Sequence, residues 1–403
     1  MTAASPRTVV RAASLFDGER HRPASAGPTD VVVEAGRVVA VGPADGSLTP
    51  DLDVAFLMPG LVEAHAHVFL DGGELDFAKR NECLKADTDT MVATARANVA
   101  RTAAAGVTLA RDAGDRWGIN DRIRDELAAD PTALVRFRSP GLGVKRPKRY
   151  GGFMARDIGE GVDPSTTIEA MVEAVDDVKV ILTGIIDFDA GGVKGAPQFS
   201  AEELATIVAV AHRAGKKTFA HCSGLDGLEV AVEAGIDSIE HGFFMNRAVL
   251  ETMADRGIAW VPTFSPVHFQ WARPELAGWS AATIGNLRRI LDGHLEHVGL
   301  ADRLGVNLVA GSDAGSPGVP HGAGLVDEIF HFLDAGLSIT AALHAATARP
   351  RRLWGCAAAT ITAGSAAELV AFAASPFDDP AALRHGPVAT IRGDRLVPHP
   401  PAA

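Results

Sequence analysis

Short apolar runs divide the chain into three regions with different rhythms. Over residues 8–57, valine-rich runs alternate with glycine-containing turns, a pattern typical of a small antiparallel β-unit, and Ala35-Gly36 predicts a hairpin turn. From residue 58 onward, apolar runs alternate with helical stretches instead. Beyond residue 355 the short β-rich pattern returns, over residues 359–361, 368–372, 388–391 and 395–397.

Eight apolar, β-rich runs lie in the middle region. The first ends at His67, and the other seven span residues 106–111, 134–139, 177–183, 217–221, 236–240, 258–263 and 306–311. Helical stretches separate most of them, and the clearest is predicted from Ser200, which forms a capping box with Glu203, to Arg213. Strands that alternate with helices indicate a parallel sheet, and eight such units predict a (β/α)8 barrel.

We therefore predict an α/β fold, a TIM barrel with a small β-sandwich domain formed from both termini. The barrel covers residues 58–355, and the sandwich joins residues 1–57 to 356–403. The chain has 403 residues, and a barrel needs about 250. The interval between residues 263 and 306 is long, so we expect an extra excursion there, near the barrel mouth.

The composition argues against several classes of protein. Acidic residues outnumber basic ones 50 to 38, and a net charge of −12 disfavours binding to a phosphate backbone. The three cysteines are scattered and cannot build a disulfide framework. No apolar run approaches the length of a membrane span, and the first residues lack the apolar segment of a secretory signal. We expect a cytoplasmic protein with no nucleic-acid or membrane partner.

Candidate chemistry lies in and at the ends of the predicted strands, because barrel active sites form at the C-terminal ends of strands. Six polar residues share this placement: His65, His67, Lys179, His221, His241 and Asp313. His65 and His67 are spaced i, i+2, so an extended strand places both imidazoles on one face, where they can bind one cation. Each residue alone has a structural explanation, such as a solvated histidine, a helix-capping aspartate or a lysine that reaches the surface. Together they predict a metal site.

The same segments resemble the amidohydrolase superfamily, and specifically its binuclear-metal branch. The likeness covers nearly the whole chain and is carried by LFDG at 15–18, VEAGRVVAVG at 33–42, PGLVEAHAH at 59–67, AHCSG at 220–224, SIEHG at 238–242, GSDAG at 311–315 and AALHAAT at 341–347. Two further motifs, VTLARDAG at 107–114 and GSPGVPHG at 315–322, resemble the Xaa-Pro dipeptidase and imidazolonepropionase branch.

This resemblance implies two divalent metal ions as cofactors, with zinc favoured. His65 and His67 would hold the more buried cation, and His221 and His241 the more exposed one. Lys179 matches the family lysine that bridges both cations as an N-carboxylated side chain. The modification has a physical reason, since two dications repel an ammonium group and attract a carbamate anion.

Asp313 is the catalytic residue that the resemblance implies. It would ligate the first cation and contact a metal-bridging hydroxide. It would then act as general base and pass the proton to the leaving group. The cations would lower the pKa of the water and polarise the scissile carbonyl.

A basic run at residues 145–149 and the only tyrosine, Tyr150, follow the third predicted strand. One interpretation is an ordinary solvated loop. The other is that Lys145 or Arg149 binds a substrate carboxylate and that Tyr150 donates to this carboxylate or to the carbonyl oxygen. His321 joins this predicted substrate site because loops after strands 3 and 8 should overhang the barrel mouth.

The favoured function is a metal-dependent hydrolase that cleaves a peptide-like or N-acyl amino acid C–N bond in a small amide substrate. The alternatives are a cyclic amide hydrolase, a mononuclear-metal deaminase and a non-catalytic scaffold that has lost its metals. Lys179 argues against the deaminase, since such enzymes generally lack the strand-4 lysine, and the full set of ligands argues against the scaffold. Assembly into a homo-oligomer stays open at this point.

Overall fold

A computed structural model describes residues 7–399, so positions 1–6 and 400–403 of the two predicted terminal segments lie outside the described residues. The strands, numbered in chain order, are β1 (Arg7–Phe16), β2 (His21–Arg22), β3 (Thr29–Glu34), β4 (Arg37–Pro43), β5 (Leu52–Pro59), β6 (Leu61–Ala66), β7 (Val107–Asp112), β8 (Arg136–Arg138), β9 (Gly143–Lys145), β10 (Ala155–Asp157), β11 (Asp177–Ile181), β12 (Ile186–Asp187), β13 (Gly192–Val193), β14 (Lys217–Cys222), β15 (Ser238–His241), β16 (Ala259–Val261), β17 (Asn307–Leu308), β18 (Glu368–Phe372), β19 (Ala389–Arg392) and β20 (Arg395–Pro398). The α-helices are α1 (Phe77–Cys83), α2 (Thr88–Ala104), α3 (Ile119–Ala129), α4 (Pro164–Glu169), α5 (Ala201–Arg213), α6 (Leu225–Ala234), α7 (Arg247–Arg256), α8 (Ser265–Ala272), α9 (Pro274–Ala277), α10 (Ala281–Leu304), α11 (Ala323–Asp334), α12 (Ile339–Ala345) and α13 (Ala348–Leu353).

Both ends of the chain contribute strands to one sheet. Its order is β20-β19-β18-β5-β1-β3-β4, with β2 added to β1. An isolated β-bridge joins Arg37 of β4 to Ala366, just before β18, so the two ends of this strand order approach each other. The buried apolar side chains of this sheet form a core of their own. Ala35 and Gly36 form the predicted hairpin turn between β3 and β4, with φ of 50° and 71°. The residue boundaries that we assign to the two domains remain a proposal.

The barrel strands are parallel and form two sheets. Hydrogen bonds join the two sheets at both of their junctions, or seams. One sheet holds β6, β7 and β8, and the other runs β9-β11-β14-β15-β16-β17 with β10 at its edge. The amide of Asp176 donates to the carbonyl of Ser139 (2.8 Å) at one seam, and the amide of Asp313 donates to the carbonyl of His65 (2.7 Å) at the other. Since β8 and β9 together form the third strand, the predicted (β/α)8 barrel with a separate terminal sheet is confirmed.

Most of the helices and loops predicted from local sequence signals are present in the structure. Helix α5 begins after Ser200, and the capping box with Glu203 is present. The long interval before strand 8 holds α8, α9 and α10. The β-rich stretch at 359–361 forms no strand, which corrects that prediction: Ile361 is buried as a loop residue against the terminal sheet. Within residues 7–399, no helix is both long and apolar enough to cross a membrane.

Candidate metal centre

His65 and His67 lie at the C-terminal end of the first barrel strand, and both are buried. The spacing in sequence places both imidazoles on the inner face, with ring centroids 5.7 Å apart. Nδ1 of His67 lies 3.2 Å from the carbonyl oxygen of Gly114, which orients the ring and leaves Nε2 free to bind a ligand. Burial lowers the pKa of both histidines well below the usual value, so both imidazoles are neutral.

A buried carboxylate, Glu240, fixes the orientation of His65. Its Oε2 lies 2.6 Å from Nδ1 of His65, and its Oε1 accepts hydrogen bonds from Arg111 (3.0 Å) and Ser238 (2.7 Å). Nδ1 of His65 therefore carries the proton, and Nε2 presents its lone pair to the cavity. No group in the described part of the chain bonds to that Nε2 atom.

His221 and His241 end the fifth and sixth barrel strands, with ring centroids 4.5 Å apart. Nδ1 of His241 is 2.7 Å from Oγ1 of Thr263, and Nε2 of His221 makes a long contact of 3.4 Å with the carbonyl of Gly184. Burial lowers the pKa of His221 to about 3 and that of His241 well below its usual value. Both rings are therefore neutral at physiological pH and can act as ligands.

Lys179 lies in the fourth barrel strand with its side chain completely buried. Among the described residues its Nζ has no hydrogen-bond partner, and it lies 5.6 Å from the ring centroid of Phe219. Burial lowers the pKa of Lys179 to about 8, although Asp313 and Glu240 oppose the shift. A buried amine without partners is costly, so this site calls for a ligand or a chemical change.

Asp313 follows the last barrel strand and faces both histidines of the first. Its Oδ1 lies 3.8 Å from Nε2 of His65 and 3.6 Å from Nε2 of His67. The ligand atoms of these three residues all lie within 4.8 Å of one another. Burial raises the pKa of Asp313 to about 7, against the opposing charge of Lys179.

Three non-glycine residues at strand ends adopt left-handed backbone conformations. The φ angles are 67° for His241, 49° for Thr263 and 55° for Asp313. This conformation is unfavourable for such residues and persists where the surrounding structure imposes it, often at functional sites. His241 and Asp313 both line the same cavity.

A cavity of about 240 Å³ opens onto these groups. All six predicted ligands line it, together with Leu70, Arg80, Asn81, Leu84, Tyr150, Phe153, Met154, Ser316 and Pro317. The ring of Tyr150 lies 5.0 Å from that of His221, as centroids. Burial raises the pKa of Tyr150, so its hydroxyl stays protonated and can donate a hydrogen bond.

The other three predicted substrate-binding residues, Lys145, Arg149 and His321, are not among the residues that line this cavity. Lys145 is buried in a salt bridge with Asp157 (2.5 Å). The guanidinium of Arg149 donates to the carbonyl of Ala196. Nε2 of His321 pairs with the carbonyl of Leu70 (3.1 Å). Each side chain already has a partner inside the protein.

Two residues of the site were missed by the sequence analysis. Glu240 immediately precedes His241, and a charged residue inside an apolar strand could have flagged it. Arg80 belongs to α1, a short helix that the apolar pattern does not reveal, and its place at the cavity depends on the fold of the loop after β6.

The chemistry of this donor set fits divalent metal ions. It offers four neutral imidazoles, one carboxylate and an amine without a partner around one cavity. Nitrogen and oxygen ligands of this kind suit zinc and similar cations. Glu240, Thr263 and the Gly114 carbonyl hold the outer nitrogens of three of the rings, as is typical behind metal-binding histidines.

Sequence comparisons place these residues in a family. The profile of the amidohydrolase family matches residues 56–394. An uncharacterized protein of Mycobacterium tuberculosis is 29% identical over 351 residues, 86% of each chain. Ochratoxinase of Aspergillus niger is 27% identical over 81% of this chain and 72% of its own, and imidazolonepropionase of Micrococcus luteus is 26% identical over 66% and 70%.

Solved structures agree on the fold. The crystal structure of a Xaa-Pro dipeptidase with bound methionine in the active site superposes with a TM-score of 0.82, covering 98% of this chain and all of the other at 21% identity. Such a low identity supports the fold alone. The family match covers most of the chain and confirms the resemblance drawn from the motifs. The chain therefore belongs to the amidohydrolase family, hydrolases that act on C–N bonds.

Proposed function

We propose that this protein is a metal-dependent hydrolase that cleaves the C–N amide bond of a small substrate. The observation that carries the proposal is the convergence of the ligand atoms of His65, His67 and Asp313 within 4.8 Å of one another. These residues line a cavity of about 240 Å³, in which a small molecule can bind.

Two divalent cations, which we assign as zinc, would be held by residues of the barrel strands. His65, His67 and Asp313 would hold one, and His221 and His241 the other. When bound, the cations would lower the pKa of a water molecule and polarise the carbonyl of the amide.

Lys179 would join the two halves of the site as a carbamate. The reaction needs a neutral amine, and a pKa of about 8 leaves a fraction of Lys179 unprotonated at neutral pH. Nζ would form a bond to the carbon of CO2 and release one proton, which gives an anion where an ammonium group was. Between the neutral imidazoles of His65 and His221, this anion supplies negative charge and oxygen ligands that a cation requires.

Asp313 and Tyr150 are the residues of the chain that would take part in the reaction directly. Asp313 would take a proton from the attacking water and deliver it to the amide nitrogen, so that a C–O bond forms, the C–N bond breaks and the amine leaves neutral. The hydroxyl of Tyr150 stays protonated and can donate to the carbonyl oxygen as negative charge develops there.

The relatives support this reaction over its alternatives without deciding the substrate. Ochratoxinase and imidazolonepropionase are the named sequence relatives, and the second keeps a cyclic amide as the alternative candidate. Lys179 has no evident use in a mononuclear deaminase. Cytoplasmic location, the lack of nucleic-acid and membrane partners, and self-association stay predictions.

The test is metal content measured together with products. Protein purified without added metal should contain about two divalent ions per chain and should hydrolyse at least one member of a panel of dipeptides, N-acyl amino acids and cyclic amides. An amine or amino acid should accumulate in step with the carboxylate product. Release of ammonia as the only nitrogenous product would contradict amide cleavage and favour the deaminase.

A further inference from the structure

Arg80 is a fixed positive charge at the side of the cavity. It belongs to α1, in the loop that follows the strand of His65 and His67, and its side chain lines the cavity with Asn81 and Leu84. Of the described residues lining the cavity, Arg80 and Lys179 are the ones that carry cationic side chains.

The guanidinium of Arg80 is anchored by backbone carbonyl groups. Nη1 donates to the carbonyls of Asp71 (2.6 Å) and Glu74 (3.3 Å), and Nη2 donates to that of Gly315 (2.6 Å). Gly315 lies two residues beyond Asp313, so these bonds hold Arg80 beside the reaction centre. A guanidinium has five N–H donors. Among the described residues the three bonds leave Nε–H and one Nη2–H without a partner, and donors on these two nitrogens can bind a carboxylate.

No acidic side chain in the described part of the chain forms an ion pair with Arg80, although the nearby charges of Asp71, Glu74 and Asp313 favour its charged form. Asp71 pairs instead with Arg101 (3.7 Å), and Glu74 pairs with Lys79 (3.8 Å). Within the described part of the chain, all hydrogen bonds of Arg80 go to neutral carbonyl groups. A partly buried, immobilised cation without an anionic partner is placed to bind an anion from solution.

We propose that Arg80 binds a carboxylate of the substrate and so restricts the enzyme to amides that carry one, such as N-acyl amino acids or dipeptides with a free C-terminus. The inference rests on the proposed function for its assignment of substrate. Leu70, Leu84 and Phe153 give the rest of the cavity an apolar wall. The substrate would therefore combine an apolar group with the carboxylate.

Binding of a matched pair of ligands tests this directly. N-(phenylsulfonyl)glycine and its carboxamide have nearly the same shape, differ in the carboxylate, and contain a sulfonamide link that the enzyme cannot cleave as an amide. Calorimetric titration of the metal-loaded protein should show tighter binding of the acid by about 10- to 100-fold, the range expected for hydrogen bonds to a charged group.

Three variants locate the source of this preference. Arg80→Gln should abolish it and leave affinity for the carboxamide unchanged. Lys79→Gln makes the same charge change one residue away, on a side chain that is 69% exposed, and should leave the preference intact. Arg80→Lys keeps the charge without the anchored fork and should retain part of it.

The outcomes separate this inference from the proposed function. Equal binding of acid and amide by the wild-type protein, or a preference that survives in Arg80→Gln, overturns the role of Arg80; in the second case the metal ions bind the carboxylate. If Arg80→Gln binds neither ligand, Arg80→Lys decides: a retained preference supports the inference and a lost preference overturns it. Metal content and hydrolysis are measured separately, and their failure would remove the proposed function instead.

Discussion

We expect Glu240 to affect both the stability of the barrel and the proposed metal centre, and replacing it by glutamine tests that expectation. The carboxylate receives Nδ1–H of His65 on one side and the guanidinium of Arg111 on the other. Glutamine has the same shape and one acceptor oxygen, but no charge. The change therefore leaves the packing intact and removes the electrostatic partner of two buried groups.

The size of the effect follows from burial. The side chains of Arg111 and Glu240 are 1% and 0% exposed. Breaking such a buried ion pair by removing one partner costs about 3–5 kcal/mol. We expect the lower end of that range for Glu240→Gln, because the amide oxygen still accepts one hydrogen bond. Loss of a carboxylate behind a metal-binding histidine typically weakens metal affinity about 10- to 100-fold.

Two assays separate these effects. Denaturant titration followed by circular dichroism gives the free energy of unfolding, and competition with a chelator gives metal affinity at a temperature where the variant is folded. Glu328→Gln is the matched control. Glu328 is also fully buried, and it accepts hydrogen bonds from the amides of Phe264 (3.0 Å) and Ser265 (2.6 Å), away from the cavity lining.

Glu328→Gln should leave metal affinity unchanged, whereas Glu240→Gln should lower both metal affinity and stability. If folded Glu240→Gln protein binds metal as tightly as the wild type, then Glu240 does not orient His65 for metal binding. If both variants lose affinity equally, the loss reflects general destabilisation.

Three further changes test other parts of the site and fold. Lys179→Ala should reduce the metal content to one ion or fewer per chain, and added formate or acetate should restore part of the activity; full metal content without the additive contradicts the carbamate. Tyr150→Phe should mainly lower kcat if its hydroxyl stabilises the developing oxyanion, whereas an effect on KM alone assigns it to substrate binding. Burial raises the pKa of Asp237, but bonds from Lys217, His212 and Thr218 outweigh it and lower the pKa below the ordinary 3.8. The stabilisation is complete above that value and is lost as pH falls through the folded value, so Asp237→Asn should flatten the acid limb of a melting-temperature profile.

The fold was predictable because its determinants are local. The barrel strands lie in short β-rich runs that are mostly apolar, and the helix from Ser200 carries its own start signal in Glu203. The stretch 359–361 misled the analysis because an apolar loop that covers a sheet has the same composition as an edge strand.

The proposed set of metal ligands could be predicted for a related reason. His65, His67, His221, His241 and Asp313 lie at the ends of strands, and the barrel brings all such ends to one face. The residues around them depend on long-range contacts instead. Arg149 lies close to Tyr150 in sequence, yet it bonds to the carbonyl of Ala196 while Tyr150 faces the cavity.

The position of Arg80 at the cavity also depends on long-range contacts and could not be predicted from the sequence. Nothing in its local sequence distinguishes it from Lys79, which points to solvent. Its role emerges because the loop after strand 1 folds against Gly315 of the loop after strand 8. The function of a barrel loop depends on its contacts with other loops. The pattern of apolar residues along the sequence does not predict those contacts.

The central claim is a two-metal site built around a modified lysine, and anomalous diffraction at the zinc edge tests it most directly. Crystals of the purified protein should show two peaks in the cavity, roughly 3.5–4 Å apart, with continuous density for a carboxylated Lys179 between them. A single peak, no peak, or an unmodified Lys179 with an empty second position would contradict the account.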